Sequence, residues 1–297
     1  MSGTTTHTQG MELAAGLGRP SRWLPWVAAA VAFVVLFRAP LANTVEVWWR
    51  DPDAGHGLLL APLAGWLAWR RGRAPGAAPQ PWLGLALIAA AVLLRYVGGL
   101  ATELFTMRFA ALAALVGLVV FVAGVRQVLH WWLPATLLLL SLPLPELVLS
   151  NLALPLQLRA SEMGAALLEA RHVPVRLAGN VIQLPGHTLF VTEACSGLRS
   201  LSALVALGVL GGGLWLDSPW LRALLVVLAV PVAMVLNGVR IFLTGFAVHY
   251  VDPALGEGLM HYTEGWVMFV AALAILGSIA ALLSAAERVH RLRRSVA

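Results

Sequence analysis

Long stretches of apolar residues follow one another along the whole chain, separated by short polar segments rich in Pro, Gly or Arg. Several of these stretches approach or exceed the roughly 20 residues that a helix needs to cross a bilayer. The pattern predicts about eight membrane-spanning helices, and the chain is therefore expected to be an all-α polytopic membrane protein. The predicted spans are 23–42, 56–69, 82–99, 104–124, 128–148, 199–216, 220–246 and 265–286.

The composition supports a membrane location and argues against a nucleic-acid partner. The chain is 60% hydrophobic and only 11% charged, whereas soluble domains have about 25% charged residues. The net charge is +6, and a basic protein of this kind could bind nucleic acid or membranes. Because the arginines cluster beside the apolar spans, membrane lipid is the expected partner and nucleic acid is not.

The distribution of arginines predicts the orientation of the chain. Arginine-rich segments are favoured on the cytoplasmic side, and alternate loops carry most of the arginines while the others carry most of the acids. Both termini are therefore expected in the cytoplasm, with the protein in the cytoplasmic (inner) membrane. Residues 1–22 would form a cytoplasmic tail, 23–286 the transmembrane domain, and 287–297 a basic cytoplasmic tail.

The longest segment between spans, 149–198, is expected on the outer side. Its first part has the apolar period of an amphipathic helix and is expected to lie along the membrane surface. Its second part, 175–191, holds the strand-like runs VRL, VIQL and TLFV, punctuated by Gly-Asn and Pro-Gly. This pattern predicts a small β-meander that ends directly before Glu193.

The first group of residues that could take part in catalysis surrounds Cys195, the only cysteine of the chain. It precedes the sixth span, and a thiol at a helix N-terminus has a lowered pKa. Arg199 follows one helical turn later, and Gly197 leaves room for a substrate or backbone to approach. Two interpretations follow from these residues: a reactive thiolate, or a small buried side chain, which is the commonest role of a lone cysteine.

Two further polar groups lie near the outer ends of the last spans. The run "LNGVRIFLTG" places Asn237, Arg240 and Thr244 on one helix face, and polar groups within a span suggest function. Alternatively, the side chain of such an arginine extends to the lipid headgroups and has no role in a site. This interpretation suits Arg38 and Arg95. His261 opens "HYTEGW" before the eighth span.

Residue counts along the spans predict that Cys195, Arg240 and His261 lie at a similar depth in the membrane. Helices rise 1.5 Å per residue, so Cys195 and Arg240 are each about one hydrocarbon thickness, roughly 30 Å, from the inner end of their spans. His261 enters at a similar level, although four other histidines share its side: His56, His172, His187 and His249. A thiol, a guanidinium and an imidazole at one place suit acyl transfer on a peptide or ester.

With these motifs the chain resembles the exosortases and the related archaeosortases. The resemblance rests on "EACSGLRSL" at 193–201, "NGVRI" at 237–241 and "HYTEGW" at 261–266, in this order relative to the spans, with support from 51–71. It implies a membrane cysteine protease or transpeptidase with Cys195 as nucleophile and with Arg240 and His261 as catalytic partners.

The resemblance also implies the substrate. Family substrates are exported proteins with a C-terminal tail that has a Pro-Glu-Pro-like motif, one transmembrane helix and a basic end. Cleavage would occur on the outer side of the membrane, and the family is linked to exopolysaccharide and biofilm systems. No metal or organic cofactor is implied.

The supporting residues keep open alternatives. Glu193 could orient Arg199 or Arg240, or it could cap the start of the helix. Asn237 could orient His261, although a contact with a neighbouring helix is favoured. His249 is the substitute base if His261 is misplaced.

Two other classes of protein compete with the protease. A non-catalytic component of a polysaccharide export system would tolerate loss of the thiol. A transporter would carry charged groups near the bilayer midplane, whereas the charges here lie at the ends of the spans.

Overall fold

A computed structural model describes residues 24–51, 54–191, 198–252 and 258–296, and at some helix ends, Leu198, Arg199 and 258–262 among them, it describes the backbone alone. The first half contains α1 (Leu24–Arg50), α2 (Gly57–Arg71), α3 (Pro81–Leu100), α4 (Leu104–Ala123), α5 (Val125–His130) and α6 (Trp132–Ser141). The second half contains α7 (Glu146–Glu169), β1 (Arg176–Ala178), β2 (Val181–Leu184), β3 (His187–Phe190), α8 (Leu198–Trp215), α9 (Pro219–Tyr250) and α10 (Gly258–Val296).

The prediction of an all-α polytopic membrane protein is confirmed. Among the described residues, five helices are long and apolar enough to cross a membrane: Val27–Arg50, Pro81–Leu100, Leu104–Ala123, Pro219–Tyr250 and Gly265–Arg294. Shorter apolar helices lie at Trp132–Ser141 and Ser200–Trp215. The total of eight spans stays a prediction.

The fifth predicted span, 128–148, is shorter and broken. α5 and α6 meet at Trp131, and α6 ends at Ser141. Leu142 adopts an extended conformation with ψ 127°, because the residue before a proline, here Pro143, disfavours helical geometry. The apolar run that predicted the span 128–148 therefore extends past Ser141, where the helix ends.

Arg95 replaces a backbone hydrogen bond that Pro40 removes. Pro40 lies inside α1 and has no N–H for the carbonyl of Leu36. Arg95 of α3 donates from Nε to that carbonyl at 2.6 Å. An unpaired carbonyl is costly in lipid, so this bond stabilises the contact between α1 and α3. Extension to the headgroups was the predicted role of Arg95, and the structure gives it a helix-to-helix hydrogen bond.

α3 and α4 form a tight antiparallel hairpin in the first half. Any side chain at Gly84 would collide with the backbone of Phe121, and a Cβ at Gly117 would lie 3.0 Å from the nitrogen of Ile88. The two glycines thus let the helix backbones approach closely, as small residues do between membrane helices. α1 packs on this hairpin through the buried Phe37.

α8, α9 and α10 pack around a shared apolar cluster in the second half. A Cβ at Gly208 of α8 would lie 3.6 Å from the Cα of Val226 in α9, and one at Gly212 would lie 3.4 Å from the Cα of Arg222. A step of four residues from Gly208 to Gly212 in α8 therefore matches a step of four residues from Val226 back to Arg222 in α9, so the two helices run antiparallel. This antiparallel register places Leu198, the first residue of α8, level with Leu236.

The predicted β-meander is confirmed. β1, β2 and β3 form an antiparallel sheet in sequential order, with Leu177 opposite Ile182 and Ile182 opposite Leu189. Gly179 (φ 64°) and Gly186 (φ 79°) adopt the left-handed conformation at the two turns, which glycine adopts without a steric cost. The predicted amphipathic helix is also present as α7.

The sheet and α7 pack against the C-terminal half of α9. Their common cluster includes the buried Leu168 of α7, Ile182 of β2 and the pair Ile241 and Val248 of α9. Gly164 of α7 has its Cα against the side chain of Ile241, where a Cβ would collide. The part of α9 that carries Arg240 is thus fixed from one side by α7 and the sheet.

Candidate active site

The polar face of α9 was predicted from sequence, and its residues are buried or half-buried. Asn237 is 6% exposed and Thr244 is 8% exposed, while Arg240 is half-buried. The hydroxyl of Thr244 donates to the carbonyl of Arg240 at 3.0 Å, a local bond that threonine often forms within helices. This bond satisfies the hydroxyl inside α9 and leaves Asn237 and Arg240 as the chemically informative members of the face.

The guanidinium of Arg240 lies against the first turns of α10. A Cβ built on Gly265 would lie 3.4 Å from Nη2 and 3.5 Å from Cζ of Arg240. Gly265 follows His261 by four residues in the same helix, and positions four apart share a helix face. The structure therefore brings Arg240 to the face of α10 that includes position 261.

The start of α8 is at nearly the same depth as Arg240. The antiparallel register between α8 and α9 places Leu198 level with Leu236, and Arg240 lies about 6 Å further along the α9 axis. The first described residue of α8 therefore lies about one helical turn from the level of Arg240. This level agrees with the depth that residue counts predict.

The β-sheet fixes the chain just before the predicted nucleophile. Val191 is 3% exposed and belongs to the cluster between the sheet, α7 and α9. Its N–H donates to the carbonyl of Asn180 at 2.9 Å, and its carbonyl accepts from Nδ2 of Asn180 at 3.0 Å. Both backbone groups of Val191 are thus held by one residue of the first turn.

Several predicted site residues cannot be compared with the structure. Glu193, Cys195 and Gly197 lie outside the described residues. Arg199 is the second residue of α8 and His261 lies in the first turns of α10, but only their backbones are described. Their predicted roles stay predictions, as do both roles weighed for Asn237.

Other histidines of the predicted outer side have structural contacts. Nε2 of His56 lies 3.3 Å from the carbonyl of Leu140 at the end of α6. His249, the substitute base, stacks edge-on against Tyr250 with ring centroids 4.6 Å apart. His172 adopts φ 61° in the turn after α7. These positions favour packing or turn roles for the three.

Sequence reasoning missed two residues of this region. Gly265 lies within the motif HYTEGW and was given no role, although its position four residues after His261 was the available signal. Asn180 was interpreted only as turn punctuation, and nothing in the sequence reveals that its amide holds Val191. No group of three His, Cys, Asp or Glu residues suited to a metal ion occurs in the described ranges.

Comparison with known protein families identifies the family of the chain. The family model described as transmembrane exosortase matches residues 48–278, which include all three motif regions. The chain belongs to this family of multi-pass membrane proteins associated with protein sorting. No curated protein and no solved structure matches the chain.

Proposed function

We propose that the chain is a membrane cysteine protease or transpeptidase that removes C-terminal sorting tails from exported proteins at the outer face of the cytoplasmic membrane. Cys195 is the nucleophile, and Arg240 and His261 are its catalytic partners. The contact of the Arg240 guanidinium with Gly265 carries the proposal, because it joins two of the three motifs that are far apart in sequence.

The chemistry needs one group from each motif. His261 takes the proton of the Cys195 thiol, and the thiolate sulfur attacks the scissile carbonyl. Arg240 stabilises the negative charge that develops on the carbonyl oxygen. His261 then gives its proton to the departing amine, the peptide C–N bond breaks, and the acyl group stays on sulfur. Water or an amine subsequently displaces the thiolate.

The surroundings of Arg240 suit a substrate that arrives as a membrane helix. Arg240 is only half-buried and lies near the predicted outer end of α9. The proposed substrates carry a Pro-Glu-Pro-like motif, one transmembrane helix and a basic end. With that helix in the bilayer, the motif before it reaches the outer surface at the level of Arg240. The link to exopolysaccharide systems is part of the same proposal.

Co-expression with a tagged reporter tests the function. The reporter is an exported protein that ends in a Pro-Glu-Pro-type tail, and its size is compared with wild type, Cys195→Ala, Arg240→Ala and His261→Ala. His249→Ala is the matched histidine control, and Arg159→Ala is the arginine control because Arg159 is exposed and pairs with Glu162 at 3.1 Å. Only wild type and the two controls should shorten the reporter.

The outcomes separate the proposal from its rivals. Processing by Cys195→Ala would reject the thiol as nucleophile. If no variant alters the export phenotype, the chain acts as a non-catalytic component of an export system. Rapid labelling of Cys195 by a thiolate-directed reagent, slowed in Arg240→Ala, would support acyl transfer over transport, because a transporter has no need of a reactive thiol.

A further inference from the structure

Two arginines lie against one tryptophan at the side of the protein opposite the candidate active site. Cζ of Arg71 is 5.8 Å from the ring centroid of Trp132, and Cζ of Arg222 is 4.9 Å from it. All three side chains are half-buried. Arg71 ends α2, Trp132 begins α6, and Arg222 lies in the first turn of α9. Three helix ends thus form one basic cluster, which we call the Trp132 cluster.

Each guanidinium of the Trp132 cluster is anchored through one backbone bond. Nη1 of Arg71 donates to the carbonyl of His130 at 3.1 Å, a carbonyl that Pro134 leaves without its helical partner. Nε of Arg222 donates to the carbonyl of Leu216 at 2.8 Å. A guanidinium has five N–H groups, so most donors of both arginines remain for a ligand.

The nearby acids are engaged elsewhere. Asp217 forms an ion pair with Arg291 at 2.5 Å, and Glu287 accepts from the backbone nitrogen of Ser218 at 2.7 Å. Within the described ranges, neither Arg71 nor Arg222 forms an ion pair with a carboxylate. Among the described residues, the two cations of the Trp132 cluster therefore have no carboxylate as an ion-pair partner.

The electrostatics of the cluster favour an added anion. Partial burial and then the charge of Arg222 lower the pKa of Arg71, which lies beyond the predicted span 56–69. Arg222 also occupies the first turn of α9, where the helix dipole favours negative charge. A negative ligand between the two guanidiniums would offset both the mutual repulsion and the dipole.

We propose that the Trp132 cluster binds the phosphate of an anionic lipid from the cytoplasmic leaflet. The cluster lies at helix ends on the arginine-rich side, where lipid phosphates are concentrated, and basic pockets between helices on this side hold lipid headgroups. Guanidinium groups bind phosphate through paired N–H donors. The indole of Trp132 is amphipathic, as is typical of side chains at the headgroup level.

The test uses the full-length chain in nanodiscs. Discs of phosphatidylcholine alone are compared with discs that also contain phosphatidylglycerol, and bound lipid is measured by native mass spectrometry. The variant is Arg71→Gln with Arg222→Gln. The control is Arg70→Gln, because Arg70 also stacks on a tryptophan, 5.1 Å from the Trp66 ring, but is a single cation.

Wild type and Arg70→Gln should retain phosphatidylglycerol, and the double variant should bind it roughly thirtyfold more weakly, as expected for two lost lipid-facing charges. Equal retention by the double variant, or an equal loss in Arg70→Gln, would overturn the proposal. If inorganic phosphate stabilises wild type as well in phosphatidylcholine discs, the cluster binds free anions and the lipid assignment is wrong.

A photoreactive phosphatidylglycerol covers the case in which the double variant does not fold. In wild type it should crosslink to the peptide that contains Trp132, and unlabelled phosphatidylglycerol should reduce the crosslink. Crosslinking that spreads evenly over the arginine-rich segments would contradict a defined site. Because none of these readouts measures proteolysis, their outcome is independent of the proposed enzymatic function.

Discussion

Arg240 in α9 rests its guanidinium on Gly265 in α10, with an added Cβ only 3.4 Å from Nη2. A methyl group at position 265 would be in van der Waals contact with the guanidinium, and a longer side chain directed at the guanidinium would displace it. It makes the position of the guanidinium depend on a residue that carries no functional group. A test of the proposed function can therefore act on Gly265 without touching a candidate catalytic residue.

Substitutions of Gly265 should show whether reporter processing depends on the position of the Arg240 guanidinium. Gly265→Ala should keep reporter processing near the wild-type level, whereas Gly265→Leu should move the guanidinium and reduce processing about a hundredfold, as expected for a misplacement of about 1 Å. Gly277→Leu is the control, because no atom lies within 4 Å of a Cβ at Gly277 in the same helix. Equal processing by both leucine variants would contradict a role for the Arg240 position.

Removal of the Asn180 amide should weaken the anchor of Val191. Asn180→Ala loses the 3.0 Å bond to the Val191 carbonyl, at a cost of about 1 kcal/mol. Reporter processing should fall while membrane insertion is unchanged, because the segment with Cys195 begins directly after Val191. Gln183→Ala, an exposed change in the same sheet, should have no effect. If both variants process alike, the anchor does not serve the site.

The pairing of Arg95 with Leu36 predicts energetic coupling to Pro40. Arg95→Leu removes the donor and should cost about 1–3 kcal/mol, since a partly buried carbonyl is left unsatisfied. In a Pro40→Ala background the helix can supply its own N–H, so the same change should cost less. A thermal-unfolding double-mutant cycle should give a coupling of about 0.5–3 kcal/mol. If the free-energy changes of Arg95→Leu and Pro40→Ala are additive, Arg95 does not compensate for the hydrogen bond that Pro40 removes.

Glu103 should make stability depend on pH through the start of α4. Its carboxylate accepts from the nitrogens of Phe105 at 3.0 Å and Thr106 at 2.5 Å. Partial burial acts to raise the pKa of Glu103, but these hydrogen bonds and the charge of Arg108 outweigh it, and the pKa lies below its ordinary 4.5.

A folded-state pKa below the unfolded value means that the contribution of Glu103 is complete above the unfolded pKa and is lost as pH falls through the folded one. Glu103→Ala should cost about 1 kcal/mol at pH 7, as for other helix caps. The difference in unfolding temperature between wild type and variant should shrink below pH 4.5. A difference that is constant down to pH 3 would show that the charge is not involved.

The sequence predicts those features that depend on neighbours along the chain. Apolar runs predict α3 and α4 almost to the residue, and Gly-Asn and Pro-Gly predict both turns of the sheet. The end of α6 at Ser141 was missed because hydropathy alone carried the predicted span through Pro143. The role of Arg95 was missed because its partner, Leu36, lies in another helix and becomes a strong acceptor only through Pro40.

For the candidate site, the sequence likewise predicts some features and not others. Counting residues along the spans predicts the level of Arg240, and the register of α8 and α9 agrees with that level. Contacts between helices, such as Arg240 with Gly265, depend on rotation of each helix about its axis. A shift of one residue turns a helix face by about 100°, so the sequence alone does not determine which side chain meets the guanidinium.

The length of α9 has a consequence for the fate of a covalent intermediate. Its 32 residues extend over about 48 Å, well beyond a hydrocarbon layer of about 30 Å. Arg240 lies about 32 Å along the axis from Pro219, so a hydrocarbon layer that begins at Pro219 would end near Arg240. An acyl-enzyme formed at this level would be exposed to the aqueous phase, so the supply of water would not limit its turnover. Selection of an amine over water would then have to come from binding of the amine.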